Sequence, residues 1–417
     1  MWLPRSTLEL EIEEPGERGE VEIADGAGHR FGARYYPHPE CLRHPPIVAA
    51  AGPALDVGPA APIKELLRLP SPPGSPAIAV ATLDPPRAMP PSPRLVGRGV
   101  DWDPELAALK ARMEAIERYC ACMPPRAPLH WGTPEAFASR VPAAVAAPAG
   151  QPRWWCQAQE IAGSAERVIP LEYVQLASLC AVRAPLVRAD STGMAVHVDR
   201  QKAIAAGLIE ALERAGLAQM WSRGASFRVE APAFPEPSRR LVDACRRQGY
   251  RPTALLATPA QGFTACMALL RRQDTSPGPA LVCGAGGGWS LAFAIERALM
   301  EAYAQLQHAI EVYPSMPSPG LPHPHDHFLF YHDEARAAGL LADWNVEAAP
   351  EARDIPAAPA GEEAPRPAPP ALGALVVDRG NALTDHLGLS ALQVLLPHLR
   401  PLAPDTPGPA GWPTPLG

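Results

Sequence analysis

The chain has 417 residues, enough for about one to three domains, and a hydrophobic fraction of 47% allows a sizeable core. Its net charge of −7 at pH 7 argues against a general nucleic-acid-binding protein, which needs a basic surface. No apolar run of about 18 residues occurs, and the first residues lead into acidic sequence, so we expect a cytoplasmic protein without membrane segments. The eight cysteines form no CxxC pair, which favours buried thiols over a zinc site.

The first 90 residues are predicted to form a small sheet with long loops. Short runs of strand-like sequence are separated there by prolines and other turn-forming residues. These runs cover residues 8–12, 20–23, 46–51 and 77–83. We therefore assign residues 1–90 to an N-terminal strand and loop region.

The first clear helix is predicted from Pro104 to about Cys122. Asp103 is a good N-cap, and Pro104 suits the first helical position, where no backbone N–H is needed. An apolar stripe predicts the buried face of this helix: Leu106, Leu109, Met113, Ile116 and Cys120.

A second helix is predicted after Asp199, and strands are predicted before it at residues 153–161 and 168–170. The helix places four apolar side chains inward: Ile204, Leu208, Ile209 and Leu212.

The two helices share a nearly identical pentapeptide, EAIER at residues 114–118 and EALER at residues 210–214. Each copy places two glutamates three residues apart at the edge of the apolar stripe, which makes them neighbours on one helix face. One such pair is typical of a solvated face, and that structural interpretation stays open here. Two copies at matching places favour a pocket of four carboxylates: Glu114, Glu117, Glu210 and Glu213. Such a pocket suits Mg²⁺ carrying phosphates.

Another amphipathic helix is predicted at residues 238–248, followed by strands at 253–258 and 264–270. The glycine run at 284–288 lacks the lysine and the Ser/Thr of a P-loop. We interpret it as a turn that leads into a third long helix, at about residues 290–312.

Four side chains that could bind a transition metal follow the third helix: His323, His325, Asp326 and His327. Prolines hold this run extended and no second set of ligands is apparent, so a structural role is favoured. Residues 343–372 are rich in Pro, Ala and Glu without periodicity, which predicts a disordered linker. Strands at 374–377 and 393–397 then precede a proline-rich tail.

Several motifs of this chain, in sequence order, resemble those of the YcaO family. Residues 97–100 and 111–119 resemble the GKG turn and the EAxERY helix of that family. Residues 191–195 and 207–214 resemble its S(T/N)GxA turn and its LxExxER helix.

The later motifs extend the resemblance. Residues 286–290 and 298–302 resemble the family's glycine turn and ALxEA helix, and residues 326–331 resemble the DHxxxY stretch of azoline-forming members. Pro413 and Pro415 match part of the C-terminal PxPxP. The resemblance covers roughly residues 90–335 and, more weakly, 373–417.

What the resemblance implies is a mixed α/β (α+β) ATP-binding core at residues 91–342, the linker at 343–372, and a C-terminal part at 373–417. It implies magnesium ligation by Glu114, Glu117, Glu210 and Glu213. Further cofactor-binding residues implied by it are Arg118, Ser191, Arg214 and Glu301. Pro413 and Pro415 are implied to shape the catalytic site.

Members of this family use ATP and Mg²⁺ to phosphorylate a backbone amide oxygen of a peptide. In azoline formation a Cys, Ser or Thr side chain attacks the amide carbon, and loss of phosphate leaves a thiazoline or an oxazoline. The resemblance therefore implies a ribosomal precursor peptide as substrate and a ThiF-like leader-binding partner. In some systems a flavin dehydrogenase is also implied, and a homodimer stays open.

Several positions depart from the family pattern, and the third helix reads Ala304-Gln305-Leu306 where the family has a QSR ending. Lys202 stands where many members carry an acid, and Ala195 and Val198 replace a serine and an asparagine that often contact nucleotide or metal. These departures leave open a degenerate scaffold that keeps the fold without turning over ATP. A member that makes thioamides or amidines with another partner is a further alternative, and the proline-rich tail weighs against it.

Overall fold

The structure is a computed structural model, and its description covers the following residues: 11–12, 20–24, 30–34, 55–58, 61–86, 94–145, 147–161, 163, 165–174, 190–223, 227–230, 234, 236–260, 262–273, 278–312, 330–343 and 373–399. Several predictions lie outside these residues: the strand at 46–51, the histidine cluster at 323–327, the linker beyond Asp343, and the proline-rich tail with the roles of Pro413 and Pro415.

The helices and strands follow the order below along the described chain. The strands are β1 (Glu11–Ile12), β2 (Glu20–Ala24), β3 (Arg30–Arg34), β4 (Ile63–Leu69), β5 (Ala77–Leu83), β6 (Leu95–Asp101), β7 (Leu129–Gly132), β8 (Arg153–Glu160), β9 (Glu166–Pro170), β10 (Met194–His197), β11 (Phe227–Glu230), β12 (Tyr250–Ala260), β13 (Phe263–Arg272), β14 (Leu281–Gly288), β15 (Leu375–Asp378) and β16 (Ser390–Leu395). The α-helices are α1 (Pro104–Cys122), α2 (Arg200–Arg223), α3 (Glu236–Arg247), α4 (Leu291–Val312), α5 (Glu334–Asp343) and α6 (Ala382–His386).

These elements form antiparallel sheets with helices packed on them, so the mixed α+β class predicted from the sequence is confirmed. One sheet has the order β1-β2-β3, a second β4-β5-β6, and a third β11-β12-β13-β14. The largest has the order β10-β16-β15-β8-β7, with β9 also paired to β8. Helix α1 packs on β5 and β6, α4 packs on β13 and β14, and α2 lies between the third and the largest sheet.

Helix α1 begins and ends where the sequence predicts, but its buried face differs from the predicted stripe. Asp103 caps the helix by accepting a 2.8 Å hydrogen bond from the Glu105 N–H. Ile116 and Cys120 are buried as predicted, whereas Leu106 and Leu109 are exposed, so that part of the prediction is wrong.

The reason is the close approach of α1 to β6. A Cβ atom at Gly97 would lie 2.2 Å from the Ala111 carbonyl oxygen, and one at Gly99 would lie 1.9 Å from the Ala107 carbonyl oxygen. Because the strand has glycine at the contact, the alanine face of the helix packs against it, and the larger leucines are left outside. Glycine on the partner strand, rather than hydrophobicity along the helix, therefore decides which face of α1 is buried.

The glycine run at 284–288 is the second half of β14, so its interpretation as a turn is wrong. The glycines allow the backbone of α4 to pack closely against the strand. A Cβ atom at Gly284 would lie 2.1 Å from the Ala302 nitrogen, and one at Gly286 would lie 2.4 Å from the Ala294 carbonyl oxygen. The strand carries no side chains at these places because the helix backbone fills the space.

Helix α2 has apolar contacts on both sides. Leu208 and Leu212 belong to one core cluster with Met267 of β13 and Val394 of β16. Strands β15 and β16, from the predicted C-terminal part, pair with β8 and β10 within the largest sheet. The end of the chain therefore supports the same helix that carries the second pentapeptide.

A buried arginine ties the C-terminal strands to α1. One Nη atom of Arg379 donates to the carbonyl oxygens of Cys120, Ala121 and Met123 at 3.0, 2.9 and 3.0 Å, and the other donates to Val174. The last carbonyls of a helix have no partner within the helix, so this guanidinium stabilises the end of α1.

The described cysteines are free and buried, which confirms the prediction of buried thiols for these six residues: Cys120, Cys122, Cys156, Cys245, Cys266 and Cys283. Burial raises the pKa of the Cys120 and Cys156 thiols to about 12. Across the part of the chain that the structure describes, no helix is both long and apolar enough to cross a membrane.

Candidate functional site

Helices α1, α2 and α4 bring the predicted glutamates together. Glu117 feels the negative charges of Glu210 and Glu114, and Glu213 feels those of Glu301 and Glu210. Glu301 in turn feels the charge of Glu114. Three of these pairs join glutamates on different helices, and the other two join glutamates on one face of the same helix. The five carboxyl groups thus form one cluster, which we call the acid cluster.

Hydrogen bonds from the backbone orient two members of the acid cluster. Glu114 accepts a 2.9 Å bond from the Arg98 N–H in β6 and a 3.2 Å bond from the Arg118 side chain. Glu210 accepts a 3.1 Å bond from the N–H of Gly193. A carboxylate that accepts a hydrogen bond from a backbone N–H is held in one orientation, so its charge acts in a fixed direction.

The turn at residues 191–193 requires glycine at its last position. Gly193 has a φ of +76°, and a Cβ atom there would lie 1.9 Å from the carbonyl oxygen of Val394 in β16. The side chain of Gln393 secures the turn by donating a 3.0 Å bond to the carbonyl oxygen of Thr192. Ser191, which is buried, accepts a hydrogen bond from Arg118. The C-terminal strand therefore positions the turn that orients Glu210.

Four glutamates of the acid cluster resist ionisation when no cation is bound: Glu117, Glu210, Glu213 and Glu301. The pKa of Glu213 is raised to about 8, first by burial and then by the charges of Glu301 and Glu210, against the opposing charges of Arg297 and Arg214. Burial followed by the charge of Glu210 raises the pKa of Glu117 well above its usual range. The pKa values of Glu210 and Glu301 are also raised, chiefly by burial. Like charges in a shared buried site favour protons or a cation.

Two arginines lie among these acids. Arg118 bonds to Glu114 and Ser191. Arg214 lies in the field of Glu210, Glu301 and Glu213, and its Nε is a buried donor with no hydrogen-bond partner among the described residues. A buried donor without an acceptor is costly, and a phosphate oxygen would satisfy it.

The donor set fits Mg²⁺ with a nucleotide. Within the described residues, no three His, Cys, Asp or Glu side chains are arranged to hold a metal ion as they stand. Mg²⁺ binds through one or two carboxylates and otherwise keeps waters and substrate phosphates as ligands. Glutamates of the acid cluster would supply the carboxylates, and the buried Nε of Arg214 would donate to a phosphate oxygen.

The structure adds three residues that the sequence-based site did not include. Arg98 of β6 holds Glu114 with its N–H, and its guanidinium bonds to Gln305 of α4 at 3.0 Å. Asp190 acts on both Glu210 and Arg214. Arg297 lies one helical turn before Glu301, and this spacing of four residues is the signal that could have identified it.

The residues that depart from the family pattern on and before α2 lie either at the surface or in the apolar core. Lys202 is exposed in the first turn of α2, and its backbone N–H bonds to Asp199 at 3.2 Å. Ala195 is buried in the core cluster with α2, and Val198 is exposed. The charges that act on Glu117, Glu210, Glu213 and Glu301 do not include Lys202.

We expect Glu213→Gln to change how the stability of the metal-free protein depends on pH. The wild-type carboxyl ionises near 4.5 in the unfolded chain and near 8 in the folded one, so the unfolded state binds fewer protons between these values. The free energy of unfolding should therefore fall as pH rises in this window, by up to about 1.4 kcal/mol per unit from this group.

Glutamine has no proton to lose, so the variant should gain stability relative to the wild type as pH rises from about 5 to 8. Thermal unfolding in the presence of a chelator measures this difference. The control is Glu166→Gln, at an exposed residue that accepts a bond from Gln157. Parallel curves for wild type and Glu213→Gln would contradict the prediction.

Comparison with known proteins gives a family match and several structural neighbours. The family model described as YcaO cyclodehydratase, ATP- and Mg²⁺-binding, matches residues 96–400. No curated protein sequence matches the chain. A solved heterocyclase in complex with substrate and cofactor is similar over 92% of this chain, at a TM-score of 0.68 and 16% identity. This chain spans 60% of the length of that heterocyclase.

Two other solved structures are closer to this chain in length. The YcaO protein from Methanopyrus kandleri, bound with AMPPCP and Mg²⁺, gives a TM-score of 0.58 and 16% identity over 80% of this chain and 85% of its own. The E. coli microcin synthetase McbBCD complex gives 0.61 and 13% over 83% and 90%. At such identities the likeness concerns the fold, whereas the family match covers most of the sequence. The chain belongs to the YcaO family.

Proposed function

We propose that this protein is an ATP- and Mg²⁺-dependent enzyme that converts Cys, Ser or Thr residues of a ribosomal precursor peptide to azolines. The observation that carries the proposal is the acid cluster, which gathers glutamates from α1, α2 and α4 around an orphaned arginine donor. The family description, which names ATP and Mg²⁺, supports the same chemistry.

The residues of the acid cluster have separable roles in this proposal. Glu114 and Glu210, each held by a backbone N–H, would fix the direction of the metal. Glu117 and Glu213, whose pKa values are raised, would release protons when the metal binds. When bound, Mg²⁺ offsets the charge that builds up on a phosphoryl group during its transfer to the amide oxygen. Arg214 would donate to a phosphate oxygen.

The proposed partners are a precursor peptide and a ThiF-like protein that binds its leader. Support comes from the structural neighbours, since one E. coli microcin synthetase structure is described as a McbBCD complex with pro-MccB17 bound. A flavin dehydrogenase that oxidises the rings would be an additional partner. ATP and newly made precursor are both available in the cytoplasm, where we expect this enzyme to act.

Incubation of the protein with precursor, partner and Mg-ATP tests the proposal. We expect phosphate release together with the loss of one water from the peptide for each ring formed, both measured in the same samples. Omission of the precursor or the partner should suppress the two signals together. Absence of phosphate release with every component present would contradict the enzyme hypothesis.

Two alternatives predict other outcomes of this reaction. A degenerate scaffold, suggested by Lys202, Ala195 and Val198, would bind peptide or partner without consuming ATP. A thioamide-forming member would replace oxygen by sulfur, so the peptide mass would rise instead of falling. Mass spectrometry of the same reaction separates the three outcomes.

A further inference from the structure

Two arginines lie directly opposite each other on neighbouring strands of the third sheet. Arg251 of β12 is the cross-strand partner of Arg271 of β13, and both side chains are exposed. Directly opposed residues of an antiparallel pair project from the same face of the sheet, with Cβ atoms about 4.5 to 5.5 Å apart. Like charges in this arrangement destabilise the sheet, so the pair has a cost in the free protein.

A single carboxylate among the described residues offsets part of this charge. Glu230 of β11 lies 3.0 Å from the guanidinium of Arg251 and 3.5 Å from that of Arg228, so its charge is shared between two cations. Arg271 has no ion pair in the described part of the chain. The positive charge on this face of the sheet is therefore only partly neutralised.

The last turn of α3 adds another arginine at the same end of the sheet. Arg246 is exposed and forms no ion pair within the described ranges, although Asp243 lies on the same helix. The Gly249 N–H donates to the Arg246 carbonyl oxygen at 3.0 Å, and the Gly249 carbonyl oxygen accepts from the Gln273 N–H at 2.8 Å. These bonds hold the end of α3 against the end of β13. We define the arginine cluster as three residues: Arg246, Arg251 and Arg271.

The arginine cluster is remote from the acid cluster. A Cβ atom at Gly287 would lie 2.8 Å from the Phe263 ring and 2.9 Å from the Cβ of Glu213, so the start of β13 lies beside the acid cluster. Arg271 lies near the other end of this strand, roughly 25 to 30 Å away at a rise of about 3.4 Å per residue. A molecule bound at the arginine cluster would leave the acid cluster accessible.

We propose that the arginine cluster is a docking surface for an acidic segment of a partner protein. Charge complementarity carries the proposal, because a concentration of positive charge stands out on a chain whose net charge is −7. Guanidinium groups match carboxylates through paired hydrogen bonds. A carboxylate placed between Arg251 and Arg271 would also remove their mutual repulsion. The inference goes beyond the proposed function, since it involves neither ATP nor the acid cluster.

Fluorescence anisotropy of a labelled decaglutamate peptide tests the inference on the full chain. We expect the wild type to bind this peptide at low salt and to release it at about 0.3 M sodium chloride, because salt screens exposed charges. The double variant Arg251→Gln/Arg271→Gln should bind the peptide about fivefold to tenfold more weakly at low salt, as for the loss of two exposed ion pairs. Absence of binding by the wild type at low salt would overturn the inference.

The matched control is Arg240→Gln, compared with the single variant Arg271→Gln. Arg240 is also exposed, but it lies over the ring of Trp102, 4.2 Å from the ring centre. The control removes the same charge at another place and should bind the peptide as the wild type does. Equal losses in the two variants would show general attraction by the whole chain and overturn the docking surface.

A labelled oligothymidylate with the same number of charges separates an acidic protein segment from a nucleic acid. We expect the wild type to bind the peptide more tightly than the oligonucleotide. Tighter binding of the oligonucleotide, lost in Arg251→Gln/Arg271→Gln, would assign the surface to nucleic acid and overturn the proposal.

Thermal unfolding separates docking from a structural role of Arg271. Removal of one of two opposed like charges predicts that Arg271→Gln melts at the wild-type temperature or above it. A lower melting temperature would show that this arginine stabilises the sheet itself, which contradicts the inference. The presence or absence of phosphate release bears on the proposed function alone, so the two proposals can fail separately.

Discussion

Replacing Glu210 with glutamine is expected to lower phosphate release and ring formation by about a hundredfold or more. Glu210 accepts the 3.1 Å bond from Gly193 and faces Arg118 and Arg214. Glutamine keeps the shape of the side chain and can still accept that bond, but it brings no negative charge to a metal. The variant therefore removes one electrostatic contribution and leaves the packing nearly unchanged.

The stability of the same variant is a second measurement. Because the pKa of Glu210 is raised by burial and by Asp190, the wild-type carboxylate is costly in the metal-free protein, so the melting temperature should stay constant or rise. Glu105→Gln, at an exposed residue in the first turn of α1, is the control and should keep full activity. Normal phosphate release by Glu210→Gln would instead favour a site in which the acid cluster does not bind the metal.

Replacing Gly284 with alanine is expected to destabilise the protein by about 3 kcal/mol or more. The added Cβ would lie 2.1 Å from the Ala302 nitrogen and 2.5 Å from the Ala298 carbonyl oxygen. These are backbone atoms of α4, so the whole helix has to move away from β14. Urea unfolding measures the loss. Helix α4 carries Arg297 and Glu301, and a displacement of about 1 Å would also reduce activity by up to about a hundredfold.

Gly388→Ala is the matched control for this change. Gly388 has a φ of +63°, and a Cβ atom there would meet nothing within 4 Å. Its cost should be the backbone strain alone, about 1 to 2 kcal/mol. If Gly284→Ala cost no more than Gly388→Ala, close packing of α4 on β14 would not be the reason for the glycine run.

Local signals in the sequence were sufficient for much of the fold. Asp103 and Pro104 fix the start of α1, and Asp199 fixes that of α2, because a cap acts on N–H groups only two or three residues away. The repeated pentapeptide identified the four glutamates because helical spacing alone makes each pair neighbours. The strand at residues 77–83 was located by its composition and its flanking prolines.

The predictions that proved wrong concern residues whose packing is decided by an element far away in the sequence. Leu106 and Leu109 are as apolar as a buried stripe requires, but glycines of β6 select the alanine face of α1 instead. The glycine run at 284–288 has the composition of a turn, yet it is a strand because α4 occupies the space of its side chains. Neither partner can be recognised from a window of neighbouring residues.

The sequence by itself determined where the helices of the acid cluster begin, that two of them carry paired glutamates, and that the family resemblance is YcaO. Only the tertiary structure decided that Glu301 joins those pairs, that Arg98 and Gly193 orient them, and that Arg297 faces solvent beside them. The physical reason is the distance along the chain over which each interaction acts. Capping and helical spacing act over a few residues, whereas burial and mutual repulsion among carboxylates depend on which distant elements pack together.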